Sequence, residues 1–116
     1  MKTIEEWCKY IAEWREKKGF ETDWGNVIEK LMLCVTELSE AAEAYRNLEL
    51  WNDGVTGYYP AGGRNSKIEA NFKEEIADSV IRLFDICGSL GIDLEAEIIS
   101  KMKVNEKRPR LHGKNC

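Results

Sequence analysis

Thr36 to Arg46 reads TELSEAAEAYR, and Glu37, Glu40 and Glu43 recur in it every three residues. A second stretch, EEIADSVIRLF from Glu74 to Phe84, repeats the theme with Glu75 and Asp78. Residues three apart on a helix share a face, about one turn from each other. Glu37 and Glu40 therefore form one pair, and Glu75 and Asp78 form another. If their helices are antiparallel neighbours, the two pairs face each other. Four crowded carboxylates repel and push one another's pKa values upward. A divalent cation removes that cost. An all-oxygen ligand set suits Mg²⁺, with Mn²⁺ as a substitute, rather than zinc or copper. Mg²⁺ keeps waters and binds phosphates, so the constellation points to phosphoryl or nucleotidyl chemistry. A di-iron site needs an ExxH pair, and the single histidine, His112, lies in the C-terminal tail. The competing explanation is plain solvation, because ExxE and ExxD also occur on exposed helices.

The elements that must position these groups are four helices. The first is predicted from about Thr3 to Lys18, with Thr3 as its cap, Glu6 three residues on and Gly19 as its stop. The second is predicted from about Asn26 to Leu48, with Asn26 and Glu29 suited to a capping box. On a wheel at ~100° per residue, Val27, Leu31, Cys34, Val35, Leu38, Ala41, Ala42 and Tyr45 make its wide apolar face. Glu37 and Glu40 fall in a second seam with Leu33, Ala44 and Lys30, whereas Glu43 faces solvent. The third is predicted from about Ile68 or Glu69 to Ser89. Phe72, Ile76, Val80, Leu83, Phe84 and Cys87 cover one side of it, and Glu75, Asp78 and Arg82 lie along an edge. Arg82 is expected to pair with Asp78 or Asp85. The fourth runs from Leu94 to about Lys107, capped by Asp93 and stopped by Pro109.

Between the second and third helices, a glycine-rich stretch at about 51–67 carries no sustained period and reads as a long loop. Loops of that length inside a compact domain are uncommon without a role. The tail at about 108–116, RPRLHGKNC, is basic and short. The 116 residues fit one domain, and four amphipathic helices give an all-α, four-helix-bundle-like fold. The long apolar arcs of the second and third helices exceed what one short chain covers. Self-association is expected on that ground.

The net charge of -4 argues against a general nucleic-acid binder. No apolar run approaches the roughly 18 residues of a membrane span. The N-terminus is acidic and amphipathic, unlike a signal peptide. Of the cysteines, Cys8, Cys34 and Cys87 fall at apolar helical positions, and none of the four forms a CxxC pair. This composition reads as a cytosolic protein with free thiols.

The segments LMLCVTELSEAAEAYR and NFKEEIADSVIRLFDIC, with ELSE at Glu37–Glu40 and EIAD at Glu75–Asp78, resemble the two metal helices of all-α nucleoside triphosphate pyrophosphohydrolases of the MazG type. The last helix and tail resemble that family too, in Lys101, Asn105, Arg108, Pro109, His112, Gly113 and Lys114. The resemblance covers roughly Val27 to Lys114 apart from the loop, where VTGYYPAGGRNSK makes the connection longer than in compact members.

The resemblance implies cleavage of a nucleoside triphosphate between its α and β phosphates, to the monophosphate and pyrophosphate. It implies Mg²⁺ on Glu37, Glu40, Glu75 and Asp78, with Glu40 or Glu37 orienting the water. Lys101 and Asn105 would contact phosphates, and the family's homodimers or homotetramers build sites from more than one helix pair. Lys30, Arg64 and the tail residues Arg108, His112 and Lys114 are further phosphate candidates, because ammonium and guanidinium groups bind phosphate. A mobile tail makes His112 a poor general base. Trp24, Trp51 and Tyr58 are the base-stacking candidates, with Tyr59 and Phe20 comparable. The alternatives are a related all-α hydrolase of a phosphoribosyl-nucleotide intermediate and a non-enzymatic helical binding protein.

Overall fold

The structure is a computed structural model that describes residues 1–50 and 66–109, excepting the side chains of 47–50 and 66–68. Its described residues form four helices and no strand: α1 (Ile4–Lys17), α2 (Val27–Leu50), α3 (Ser66–Leu90) and α4 (Leu94–Lys107). No helix among them is long and apolar enough to cross a membrane.

Local chemistry sets the helix ends. Thr3 and Glu6 form the expected capping box: the Glu6 N–H donates to Thr3 Oγ1 and the Thr3 N–H donates to Glu6 Oε1, both at 3.1 Å. Those backbone and hydroxyl contacts with Thr3 hold the Glu6 carboxyl below its ordinary pKa. Gly19, at φ 89°, and Gly91, at φ 72°, take the left-handed conformation just past α1 and α3. Asp93 caps α4 by accepting from the Ala96 N–H at 3.0 Å.

Asn26 behaves differently from the expected capping box with Glu29. Its side chain turns back into the connection, accepting from the Asp23 N–H at 2.9 Å and donating to the Glu21 carbonyl at 2.8 Å. Asp23 accepts in turn from the Gly25 and Asn26 N–H groups. Asn26 thus closes a tight turn before α2.

α3 is the central element: α2 packs along one side of it and α1 along another, while α4 touches α1 at a few points. The α2–α3 pair is antiparallel. Tyr45 meets Phe72 at a ring-centroid distance of 5.9 Å, and Glu37, earlier on α2, meets Arg82, later on α3. α1 and α3 cross closely at Gly88, where an added Cβ would run into the Cys8 backbone.

The core is small and includes Cys8, Ile11, Cys34, Ala41, Ala44, Ile86 and Cys87. The three cysteines are free, and burial raises each thiol pKa, that of Cys8 to about 11. They are protonated at neutral pH and pack as small hydrophobes. A buried polar cluster ties α1 and the connection to α3. Asp85, 3% exposed, accepts from Arg15 Nε at 3.0 Å, Thr22 Oγ1 at 2.8 Å and Ser89 Oγ at 3.1 Å.

One chain covers the wide apolar face of α2 only in part. Cys34 and Ala41 of that face are buried, whereas Leu31, Val35, Leu38 and Tyr45 are all more than two-fifths exposed. The strip that α2 turns inward is Cys34, Glu37, Ala41 and Ala44. Small side chains there let α2 and α3 approach, and one chain supplies α2 with one long helical neighbour. On α3, Ile76, Val80 and Leu83 are likewise about two-fifths exposed. All of the described helix α4 lacks a buried residue.

Candidate metal centre on the α2–α3 pair

The inward turn of α2 brings the predicted carboxylates together. Glu37, Glu40 and Glu75 each offer an oxygen, and the three oxygens lie within 4.8 Å of one another. Helical spacing sets Glu37 and Glu40 on one face of α2, and the antiparallel register sets Glu75 opposite them. Asp78 is exposed and lies one turn further along α3, outside that trio, close enough for its charge to act on Glu75.

The three glutamates differ electrostatically. Arg82 Nε donates to Glu37 Oε1 at 2.7 Å, and this bond holds the Glu37 carboxyl below its ordinary pKa. Glu75 is pushed the other way, up to about 7, first by burial and then by contact with Glu40, Glu37 and the Asp78 charge. Near neutral pH Glu75 therefore holds a proton part of the time.

The donor set fits a hard divalent cation. Glu75 Oε2 is buried without a hydrogen-bond partner. Its carboxylate neighbours cannot donate while ionised, so its partner is a proton, a water or a cation. Oxygen ligands from three glutamates, with Asp78 adjacent, match Mg²⁺ or Mn²⁺.

Arg82 corrects the sequence reading. It was expected to pair with Asp78 or Asp85, but its bond goes across the helix pair to Glu37, and Asp85 is taken by Arg15. The signal in the sequence was the shared edge of Glu75, Asp78 and Arg82. A partner on another helix depends on cross-helix register, which that spacing does not contain.

The other candidates are more dispersed. Lys30 is half-buried on α2, seven residues before Glu37. Trp24 is 70% exposed in the turn before α2. Phe20 packs under Arg15, whose Cζ lies 4.5 Å from the ring centroid. Lys101 and Asn105 stand on α4, which among the described elements meets chiefly α1. Lys101 is exposed, whereas Asn105 Oδ1 is buried without a hydrogen-bond partner. Arg108 is exposed just past α4. Trp51, Tyr58, Tyr59, Arg64, His112 and Lys114 lie outside the described residues, as do the 51–65 part of the predicted loop and the tail from residue 110. Glu43 is on the surface, paired with Arg46 at 3.3 Å, as its wheel position predicts.

Searches of protein-family models, curated proteins and solved structures gave no match to this chain.

Proposed function

We propose that this chain is an all-α nucleoside triphosphate pyrophosphohydrolase of the MazG type. It hydrolyses a nucleoside triphosphate between the α and β phosphates, giving the nucleoside monophosphate and pyrophosphate. Its proposed role is nucleotide-pool sanitation, which a preference for a pyrimidine deoxynucleotide or a damaged base would support. The observation that carries the reading is the meeting of Glu37, Glu40 and Glu75 across the α2–α3 pair, where Glu75 Oε2 is buried without a hydrogen-bond partner.

Glu37, Glu40 and Glu75 hold the cation, with Asp78 as the fourth carboxylate. Mg²⁺ or Mn²⁺, when bound, neutralises this cluster, draws in the triphosphate and lowers the pKa of water. Glu37 is already engaged by Arg82, which leaves Glu40 as the carboxylate to orient the attacking water. Water adds across the α–β anhydride and pyrophosphate leaves. Lys30, Lys101, Asn105 and Arg108 contribute cationic or polar contacts to phosphates, and Trp24 offers a stacking face for the base.

The working protein is a homodimer or homotetramer. Stripes of Leu31, Val35 and Leu38 on α2 and of Ile76, Val80 and Leu83 on α3 are left half-exposed by one chain. A second copy that covers them completes a four-helix bundle and gives α4 a route to its partner's cluster.

A panel of ribo- and deoxyribonucleoside triphosphates with Mg²⁺, with both products identified, tests the reading. Monophosphate and pyrophosphate are expected. Orthophosphate release contradicts α–β cleavage. Turnover of a phosphoribosyl-nucleotide alone favours the related hydrolase, and no turnover with no metal response favours a helical binding protein.

A further inference from the structure

We propose that Arg82 is a positioning residue of the carboxylate site: it fixes Glu37 from across the helix pair so that Glu37 meets the cation as an oriented ligand. The inference rests on the metal-site reading above.

Glu37 and Arg82 have side chains only 12% and 26% exposed, and the Nε–Oε1 separation is 2.7 Å. Such a bond between partly buried, opposite charges is short and directional. The guanidinium is planar, always charged and weakly hydrated, so it fixes direction as well as charge. The bond uses Glu37 Oε1, which leaves the carboxylate a second oxygen with which to ligate. Carboxylate ligands of metal sites are commonly held by such outer partners, and loss of one weakens metal affinity about 10–100-fold.

The location fits this role better than that of a plain structural tie. Arg82 follows Asp78 by four residues and Glu75 by seven, so all three lie along one edge of α3. The bond therefore comes from the helix that carries two of the other carboxylates. It crosses the same α2–α3 gap across which Glu75 faces Glu37 and Glu40. A guanidinium there also offsets part of the like-charge repulsion while the cluster is empty of metal.

The test is Mn²⁺ titration of the full chain, followed by the electron paramagnetic resonance signal of free Mn²⁺, for wild type, Arg82→Gln and Arg82→Lys. Thermal midpoints are recorded alongside. Wild type should bind. Arg82→Gln should weaken Mn²⁺ binding about 10–100-fold. Arg82→Lys should recover part of that loss, because it restores charge without the fixed plane. Either variant binding Mn²⁺ as tightly as wild type, or tighter, overturns the proposal, whatever its melting point. Absence of Mn²⁺ binding by wild type overturns the metal-site reading itself, so the two failures are distinct.

Discussion

Glu37 and Arg82 join α2 to α3 through a 2.7 Å bond, while Glu40, one turn along α2, is exposed and has the half-buried Glu75 carboxyl as its neighbour. Two glutamates of one motif thus have different neighbours. Glu37 is stabilised as an anion by a guanidinium, and the Glu40 charge acts on Glu75.

That contrast separates two substitutions. Glu37→Gln weakens a charge-assisted bond and leaves Arg82 poorly paired, so the metal-free protein should lose about 1–3 kcal/mol of stability. Glu40→Gln relieves repulsion, so its metal-free melting midpoint should hold or rise, as should that of Asp78→Asn. All three should lose most turnover and most of the Mg²⁺-induced rise in midpoint. Melting curves with and without Mg²⁺, beside activity, decide. Equal destabilisation by Glu37→Gln and Glu40→Gln would refute the distinct role given to the Arg82–Glu37 bond.

Glu75 gives a pH dependence. Its folded pKa of about 7 lies above the ordinary 4.5, so between those values the folded state holds a proton that the unfolded state has released. In that window this group's contribution to stability falls as pH rises, and above about pH 7 the full penalty of an ionised Glu75 is present. Glu75→Gln removes the titration. Metal-free Glu75→Gln should therefore gain on wild type as pH rises from 5 to about 8, reaching its full advantage above 7. Mn²⁺ affinity of wild type should fall as pH drops through the same window, because proton and cation compete. A pH-independent difference between variant and wild type would show that Glu75 titrates normally.

Asp85 anchors a different part of the fold. Its carboxylate receives Arg15, Thr22 and Ser89, and Arg15 is itself 11% exposed. Asp85→Ala strands a largely buried guanidinium and should cost about 3–5 kcal/mol by urea unfolding. Thr22→Val removes one bond and should cost about 1 kcal/mol. A loss below that level in Asp85→Ala would mean that water replaces the carboxylate without penalty.

The apolar stripes predict the assembly state. Static light scattering at micromolar concentration should give two or four times the 13.3 kDa chain mass. Leu38→Glu, placed on the half-exposed stripe of α2, should shift the protein toward monomer. A helical wild-type monomer at 13.3 kDa would remove the oligomer from the account.

Local signals made the helices legible. The Thr3–Glu6 box, Gly19, Asp93 and the run of helical periodicity placed all four elements, because caps and stops act over a few residues. The shared face of Glu37 with Glu40, and of Glu75 with Asp78, was legible for the same reason, since a spacing of three fixes it. What stayed hidden depends on which helix faces which. The wheel put Leu31, Val35 and Leu38 on one apolar face with Cys34 and Ala41, by their hydrophobicity. Within one chain, close packing buries only the small members, Cys34 and Ala41, together with Ala44 from the second seam. Arg82 was assigned to carboxylates on its own helix, since the sequence holds no record of cross-helix register. Asn26 was assigned forward to its helix, but the turn formed with Asp23 claims its side chain.

The central claim is that these carboxylates serve α–β cleavage of a nucleoside triphosphate. Its most direct test is phosphorus NMR of the products formed with Mg²⁺ by wild type, Glu40→Gln and Asp78→Asn. The account predicts nucleoside monophosphate and pyrophosphate in equal amounts from wild type and almost none from either variant. Orthophosphate from wild type, or undiminished turnover in both variants, would contradict it.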